Sequence, residues 1–314
     1  MAQTTLNPFN QSCWNCSTSI PQGTNVNQSQ TGVLLTKDEV IILSLVCALA
    51  SFIGTLGNSL VFLAVYNLKS HRKIPDLFIT RLASSDISVC ALYLPMMIFS
   101  LNHGARTTDH GQYVIFDSVK SFLGHASMVA SATNMFAVTV DRIIAIRFPF
   151  KYVNVMTTRN TLAGIVVVWL VSLTFGTLHA RDFVSRFYVS IYNLSMLFTT
   201  LIMYIYIFFA AKRQENRVQN IPVGSDAVAA EKKVAKTIFI VVGTYTLCWA
   251  PLFLFPAFVN PFRNPLLFRK GFVWIQILLA INSAVNPYIY CIRSKKYRTA
   301  FCKILRIKRN NNRQ

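Results

Sequence analysis

Seven long, predominantly apolar blocks dominate this chain, each near the length of about 20 residues that a helix needs to cross the hydrocarbon core of a bilayer. They run Val40–Tyr66, Leu77–Leu101, Val114–Ile146, Leu162–His179, Phe183–Ala211, Val234–Val259 and Leu267–Ile292. In lipid a segment must satisfy its own backbone polar groups, so blocks of this length are read as helices. The connections between them are short, which makes one antiparallel bundle rather than a string of domains. Composition agrees, because 53% of the residues are hydrophobic and 13% are charged, whereas soluble chains carry about 25% charged residues. The predicted fold is an all-α membrane protein. A seven-transmembrane helix bundle spans residues 40–292, preceded by a tail over 1–39 and followed by a basic segment over 293–314.

The formal net charge of +20 does not make this a nucleic-acid binder. The cations flank the apolar blocks instead of sharing one soluble face, which is the positive-inside pattern. With the N-terminus outside, the inner segments hold Lys69, Arg72 and Lys73, then Arg147, Lys151 and Arg159, then Lys212, Arg213, Arg217, Lys232, Lys233 and Lys236, then the tail from Arg293 to Arg313. The outer segments hold only Lys37, Arg106, Arg181, Arg186, Arg263, Arg269 and Lys270. The expected placement is therefore a multi-pass protein of the plasma membrane with an extracellular N-terminus. Three N-glycosylation patterns, at Asn10, Asn15 and Asn27, fall in that tail and fit the same orientation. Met1 to Gln30 is polar and offers no apolar signal region, so the first crossing is expected to act as the insertion signal. Cys47, Cys90, Cys248 and Cys291 lie inside apolar blocks and are expected to pack, while a bridge between Cys13 and Cys16 is left open.

After the seventh block, Tyr297, Phe301, Ile304 and Leu305 recur at helical spacing among cations. This predicts a short amphipathic helix on the inner leaflet in contact with membrane lipids. Cys302 beside it is the candidate for palmitoylation.

Polar residues inside apolar blocks are costly and usually face the bundle interior. Asp86, Ser131, Asn134, Asn282, Ser283, Asn286 and Asn58 are such residues. One carboxylate among hydroxyls and amides is an oxygen-only donor set, which suits a small hard cation or a water-filled switch. A set of interhelical hydrogen bonds that glue the bundle explains them equally well.

Several motifs follow one another in order along the blocks. They are Gly57-Asn58 in the first, Leu82-Ala-Ser-Ser-Asp86 in the second, Asp141-Arg142-Ile143 at the end of the third and Trp169 in the fourth. Cys248-Trp249-Ala250-Pro251 stands in the sixth and Asn286-Pro287-Tyr288-Ile289-Tyr290 in the seventh. In these the chain resembles the rhodopsin-like G-protein-coupled receptors from about residue 40 to 306. The resemblance implies a receptor that binds an extracellular ligand and activates a heterotrimeric G protein, with arrestin and a receptor kinase as further partners. It implies switch roles for Asp141, Arg142, Glu231, Tyr204 (or Tyr206), Trp249, Pro251, Asn286, Pro287 and Tyr290, with Arg142 held by Asp141 and by Glu231. It implies an allosteric sodium ion, and no other cofactor, at Asp86, Ser131, Asn282, Ser283 and Asn286. Pro251 and Pro287 remove backbone donors in mid-helix and so kink the sixth and seventh crossings.

The chain also departs from that family. Where most members carry the third-helix cysteine of a disulfide it has Asp117, and no cysteine lies between His179 and Arg186. The fifth block lacks the usual proline at Ser195-Met-Leu-Phe-Thr-Thr200. These absences are similar to those of the melanocortin, lipid-mediator, cannabinoid and adenosine receptor branch, although melanocortin receptors carry Asp where this chain has Asn286. The position of the amine-binding aspartate holds Gly124 and that of the retinal-linking lysine holds Ala280, which argues against an amine ligand and against retinal. An apolar pocket lined by Phe253, Leu254, Ile277 and Phe122, with Asp117, Lys120, Arg181 and Arg186 at its mouth, leaves a peptide and a lipid-like ligand both open.

A multi-pass transporter or channel is the alternative, since it too carries polar groups in the membrane, but inverted repeats and broken helices at matching positions are missing. No metalloprotease or hydrolase motif and no paired intramembrane aspartates point to catalysis, so no reaction and no catalytic residue are assigned.

Overall fold

The computed structural model describes residues 35–67, 74–103, 110–181, 183–184, 186–218, 225–260 and 262–306. Asn10, Asn15 and Asn27 and the cysteines at 13 and 16 lie outside them. Among the described residues every regular element is helical, and seven helices are long and apolar enough to cross a membrane.

The first crossing, α1 (Lys37–Asn67), starts at a capping box. The Thr36 amide donates to Glu39 Oε2 at 2.7 Å and the Glu39 amide to Thr36 Oγ1 at 3.2 Å, which satisfies amides that have no intrahelical partner. The second crossing is built in three pieces: α2 (Ile74–Ile87), a π-helical turn over Ser88–Tyr93, and α3 (Leu94–His103). Pro95 supplies a cause for the wide turn, because it cannot donate to the carbonyl one turn back and its ring crowds that carbonyl. Ser51 Oγ donates to the Cys90 carbonyl within the turn at 2.7 Å.

The third crossing is α4 (His110–Arg147), followed by a short helix, α5 (Pro149–Val155). The fourth, α6 (Thr158–Ala180), is capped by Thr157, whose side chain accepts from the Asn160 amide at 3.2 Å. The fifth, α7 (Arg186–Val218), begins three residues later than the sequence predicts, and Phe183 lies exposed in the bend before it. The sixth, α8 (Ser225–Phe258), contains Pro251 and Pro256, and the seventh, α9 (Pro265–Arg293), contains Pro287. The predicted amphipathic helix is present as α10 (Lys295–Ile304), with Tyr297 and Phe301 buried against the bundle.

α4 packs against α6, α7 and α2, while α1 packs against α9, α2 and α10. Small residues permit the close approach of α1. A Cβ on Gly54 would collide with Cys90 Sγ and would stand 3.0 Å from Ala284, the small-residue contact that membrane bundles use in place of a hydrophobic driving force. Asn58, fully buried, donates through Nδ2 to the Gly54 carbonyl at 2.9 Å and the Ser283 carbonyl at 3.1 Å, so it fastens α1 to α9. Large apolar side chains such as Phe52, Leu247 and Ile292 point outward, as a lipid solvent requires.

Candidate functional site

Half-way along the bundle, α2 delivers Asp86 and α9 delivers Asn286 to one spot. Both are buried, and Asn286 Nδ2 donates to Asp86 Oδ2 at 2.8 Å. Ser283 borders the same carboxylate, and Asn282, one turn before Asn286, is buried. Ser131 lies between two α4 residues that touch the second crossing. Ser127 Oγ meets Ser88 Oγ at 2.8 Å, and Asn134 Nδ2 donates to Ser85 Oγ at 3.4 Å. Ser131 therefore faces the level of Asp86 and is buried there. All five predicted residues sit at this level of the core, on three crossings. The side-chain oxygens Asp86 Oδ1, Asn282 Oδ1 and Asn286 Oδ1 are buried with no hydrogen-bond partner. Three buried oxygens without partners make a donor set that fits a hard cation or ordered water.

At the Arg147 end of α4, Asp141 is buried and its carboxylate is fully used. Arg142 Nε donates to Oδ2 at 2.7 Å and Arg142 Nη2 also reaches Oδ2, while Tyr152 of α5 donates through its hydroxyl to Oδ1 at 2.9 Å. Burial, and next the Asp141 charge, raise the Tyr152 phenol above its usual range, so it stays a donor. Glu231 belongs to α8, but its side chain lies outside the described residues. Tyr204 is buried, whereas Tyr206 is 45% exposed, which separates the two tyrosine candidates. At the same end, the ring of buried Tyr290 lies tilted against that of Tyr297, with ring centres 6.1 Å apart. Tyr297 donates to Asp76 Oδ1 at 2.9 Å and Lys296 pairs with Asp76 Oδ2 at 2.6 Å, tying α10 to α2.

Trp249 is buried one turn from Tyr245, with rings 5.1 Å apart, and Pro251 follows it in the same helix. Toward the Asp117 end, Lys120 pairs with Asp117 at 2.7 Å and donates to Ser100 Oγ at 2.9 Å. Gly124 faces the ring of Tyr93, to which a Cβ would come within 2.8 Å. Phe253 packs on the core and Ile277 is buried. Leu254, expected in the pocket lining, is 56% exposed on the outside of the bundle. One helical step turns it about 100° from Phe253. Arg181 is exposed, and the Arg186 side chain lies outside the described residues.

Sequence reasoning assigned no role to three residues that the structure makes prominent. Arg81 is buried between crossings, with Nε donating to Asn134 Oδ1 at 3.2 Å and Nη2 to the Gly164 carbonyl at 3.2 Å. A charge inside an apolar block was its visible signal. Tyr152 and Asp76, each in or beside a polar connection, carried no such signal.

The profile of the family described as 7 transmembrane receptor (rhodopsin family) matches residues 57–186 and 178–290. The chain belongs to that family. Among its relatives, melanocortin receptor 3 of Rattus norvegicus is 28% identical over 283 residues, covering 85% of this chain and 86% of that one. Melanocortin receptor 4 of Danio rerio is 29% identical over 278 residues, covering 85% of each chain. Adenosine receptor A2a of Homo sapiens is 27% identical over 298 residues, covering 81% of this chain and 69% of the receptor. These are members of the branch to which the missing cysteine and proline pointed. A multi-pass membrane receptor of this family, with the G-protein coupling that the family implies, replaces the transporter alternative.

Proposed function

We propose that this receptor sits in the plasma membrane with its N-terminus outside, binds an extracellular peptide or lipid-like ligand, and activates a heterotrimeric G protein at the Arg147 end of α4. The observation that carries the reading is the Asp141–Arg142–Tyr152 network at that end. A permanently charged guanidinium is parked on a buried acid beside a connection, where a partner can compete for it. In the resting state Asp141, Tyr152 and Glu231 hold the end closed. Ligand contact repacks Trp249, α8 swings about the Pro251 kink, and Arg142 leaves Asp141 for the G protein, with Tyr204 and Tyr290 stabilising the open form. Arrestin and a receptor kinase would use the same face.

The choice of ligand class is supported at two positions. Gly124, where an amine's counter-ion would stand, faces the Tyr93 ring, and Ala280 leaves retinal no lysine. In the resting state a sodium ion would be held by Asp86 with Ser131, Asn282, Ser283 and Asn286, and its charge would neutralise the buried carboxylate. Cys302 would carry a palmitoyl chain, and Asn10, Asn15 and Asn27 would be glycosylated.

The test is ligand-independent nucleotide exchange on added G proteins in membranes that express the receptor, normalised to surface number. Exchange above that of empty membranes, lost in Arg142→Ala, supports the reading; equal exchange in parent and Arg142→Ala overturns it.

A further inference from the structure

We propose that the cleft between the end of α1 and α10 binds the phosphate groups of an anionic phospholipid headgroup. The cleft has a volume of about 430 Å³, and α10 lines it with Lys295, Lys296, Thr299 and Lys303. Asn67 closes the α1 side, and the small side chains of Ala64 and Ala300 leave the space open. Residues 295, 299 and 303 are four apart and so share one helix face. The opposite face of α10 is fixed by the buried rings of Tyr297 and Phe301, which leaves Lys295, Thr299 and Lys303 on its exposed side.

The charges in the cleft are unbalanced. Lys296 is neutralised by Asp76 at 2.6 Å. Among the described residues no carboxylate pairs with Lys295 or Lys303, and no acid lines the cleft. Two lysines, a threonine and an asparagine line the cleft, which is donor chemistry for phosphate oxygens. The cleft is also large enough for a headgroup, since small-ligand sites run from about 300 to 1,000 Å³. The surroundings argue for a lipid over a free phosphate. Leu63 and Tyr66, on the same last turns of α1, are 48% and 64% exposed, so apolar surface for acyl chains borders the cationic cleft. A soluble anion would make no use of it. Basic pockets at the inner membrane surface take anionic headgroups in this way. The inference rests on the orientation proposed above, which puts α10 on the inner leaflet.

Full-length receptor purified in detergent can be titrated with short-chain phosphatidylinositol bisphosphate and read by native mass spectrometry, with phosphatidylcholine and inositol trisphosphate as parallel arms. The parent should bind the bisphosphate lipid in preference to phosphatidylcholine. Lys295→Gln with Lys303→Gln should weaken that binding roughly thirtyfold, as the loss of two lysines near an anionic surface predicts. Thr299→Tyr keeps every charge but fills the cleft, and should weaken it as well. Lys37→Gln, an exposed lysine at the other end of α1, should change nothing. Positions 295, 299 and 303 are exposed, so the variants should melt with the parent. Equal lipid affinity in parent and double variant overturns the site. Unchanged binding in Thr299→Tyr overturns the cleft in favour of diffuse attraction, and trisphosphate binding as tight as the lipid's overturns the lipid source. An epitope tag after Gln314, probed on intact cells, reports the orientation separately from this binding.

Discussion

Asp86 and Asp141 are both carboxylates with no exposed surface, and the bundle treats them in opposite ways. Asp141 has an arginine on one oxygen and a tyrosine hydroxyl on the other. Asp86 has a neutral amide on Oδ2, and its Oδ1 has no hydrogen-bond partner. A buried charge is tolerated when it is paired and hydrogen-bonded, and is expensive otherwise. The first carboxylate therefore reads as a closed latch whose opening must be driven. The second reads as a seat for something mobile, whether cation, proton or water. On the proposed reading, the difference separates the part of the receptor that would respond to a protein partner from the part that would respond to a small ion.

Substitutions at the two sites should differ in size and in kind. Asp141→Asn should have the largest effect. It leaves Arg142, whose side chain is 14% exposed, without its counter-charge, at a cost of about 3 kcal/mol. A clear fall in melting temperature together with raised basal signalling is expected, and an unchanged melting curve would remove the latch. Tyr152→Phe should follow, with a loss of about 1.5–3 kcal/mol for one hydrogen bond to a charged group and a smaller rise in basal signalling than Asp141→Asn gives. If the phenylalanine variant signals and melts as the parent does, Asp141 is held by Arg142 alone. Asp86→Asn should cost least in stability, below about 1 kcal/mol, because it removes a buried charge that has only neutral partners, Asn286 and Ser283. Its effect should lie elsewhere: basal signalling of the parent should fall severalfold as sodium replaces a large organic cation, and that dependence should vanish in Asp86→Asn. A parent indifferent to sodium would make the mid-bundle cluster structural glue.

The crossings were legible because a bilayer fixes their length and purity. The family resemblance grouped Asp86 with Asn286, because both interrupt apolar blocks within its motifs; residue type alone left an ion site and structural glue equally open. The π-turn at Ser88–Tyr93 was not legible, since Pro95 announces a kink but not how the preceding turn absorbs it. Tyr152 lies in what reads as a polar connection, and only the fold carries α5 back beneath Asp141. Arg81 was conspicuous as a charge in the second block, yet its acceptors come from residues 53 and 83 positions away. The misplacement of Leu254 has the opposite origin. Neighbouring apolar residues look alike in a sequence, and in a membrane bundle the outward face is as apolar as the inward one.

The most direct test of the central claim is surface-normalised basal nucleotide exchange in Glu231→Gln and Arg142→Ala beside the parent. The account predicts exchange above the parent's when Glu231 no longer holds Arg142, and exchange at the level of empty membranes when Arg142 is gone, with both variants reaching the surface. Exchange by Arg142→Ala equal to the parent's would contradict it.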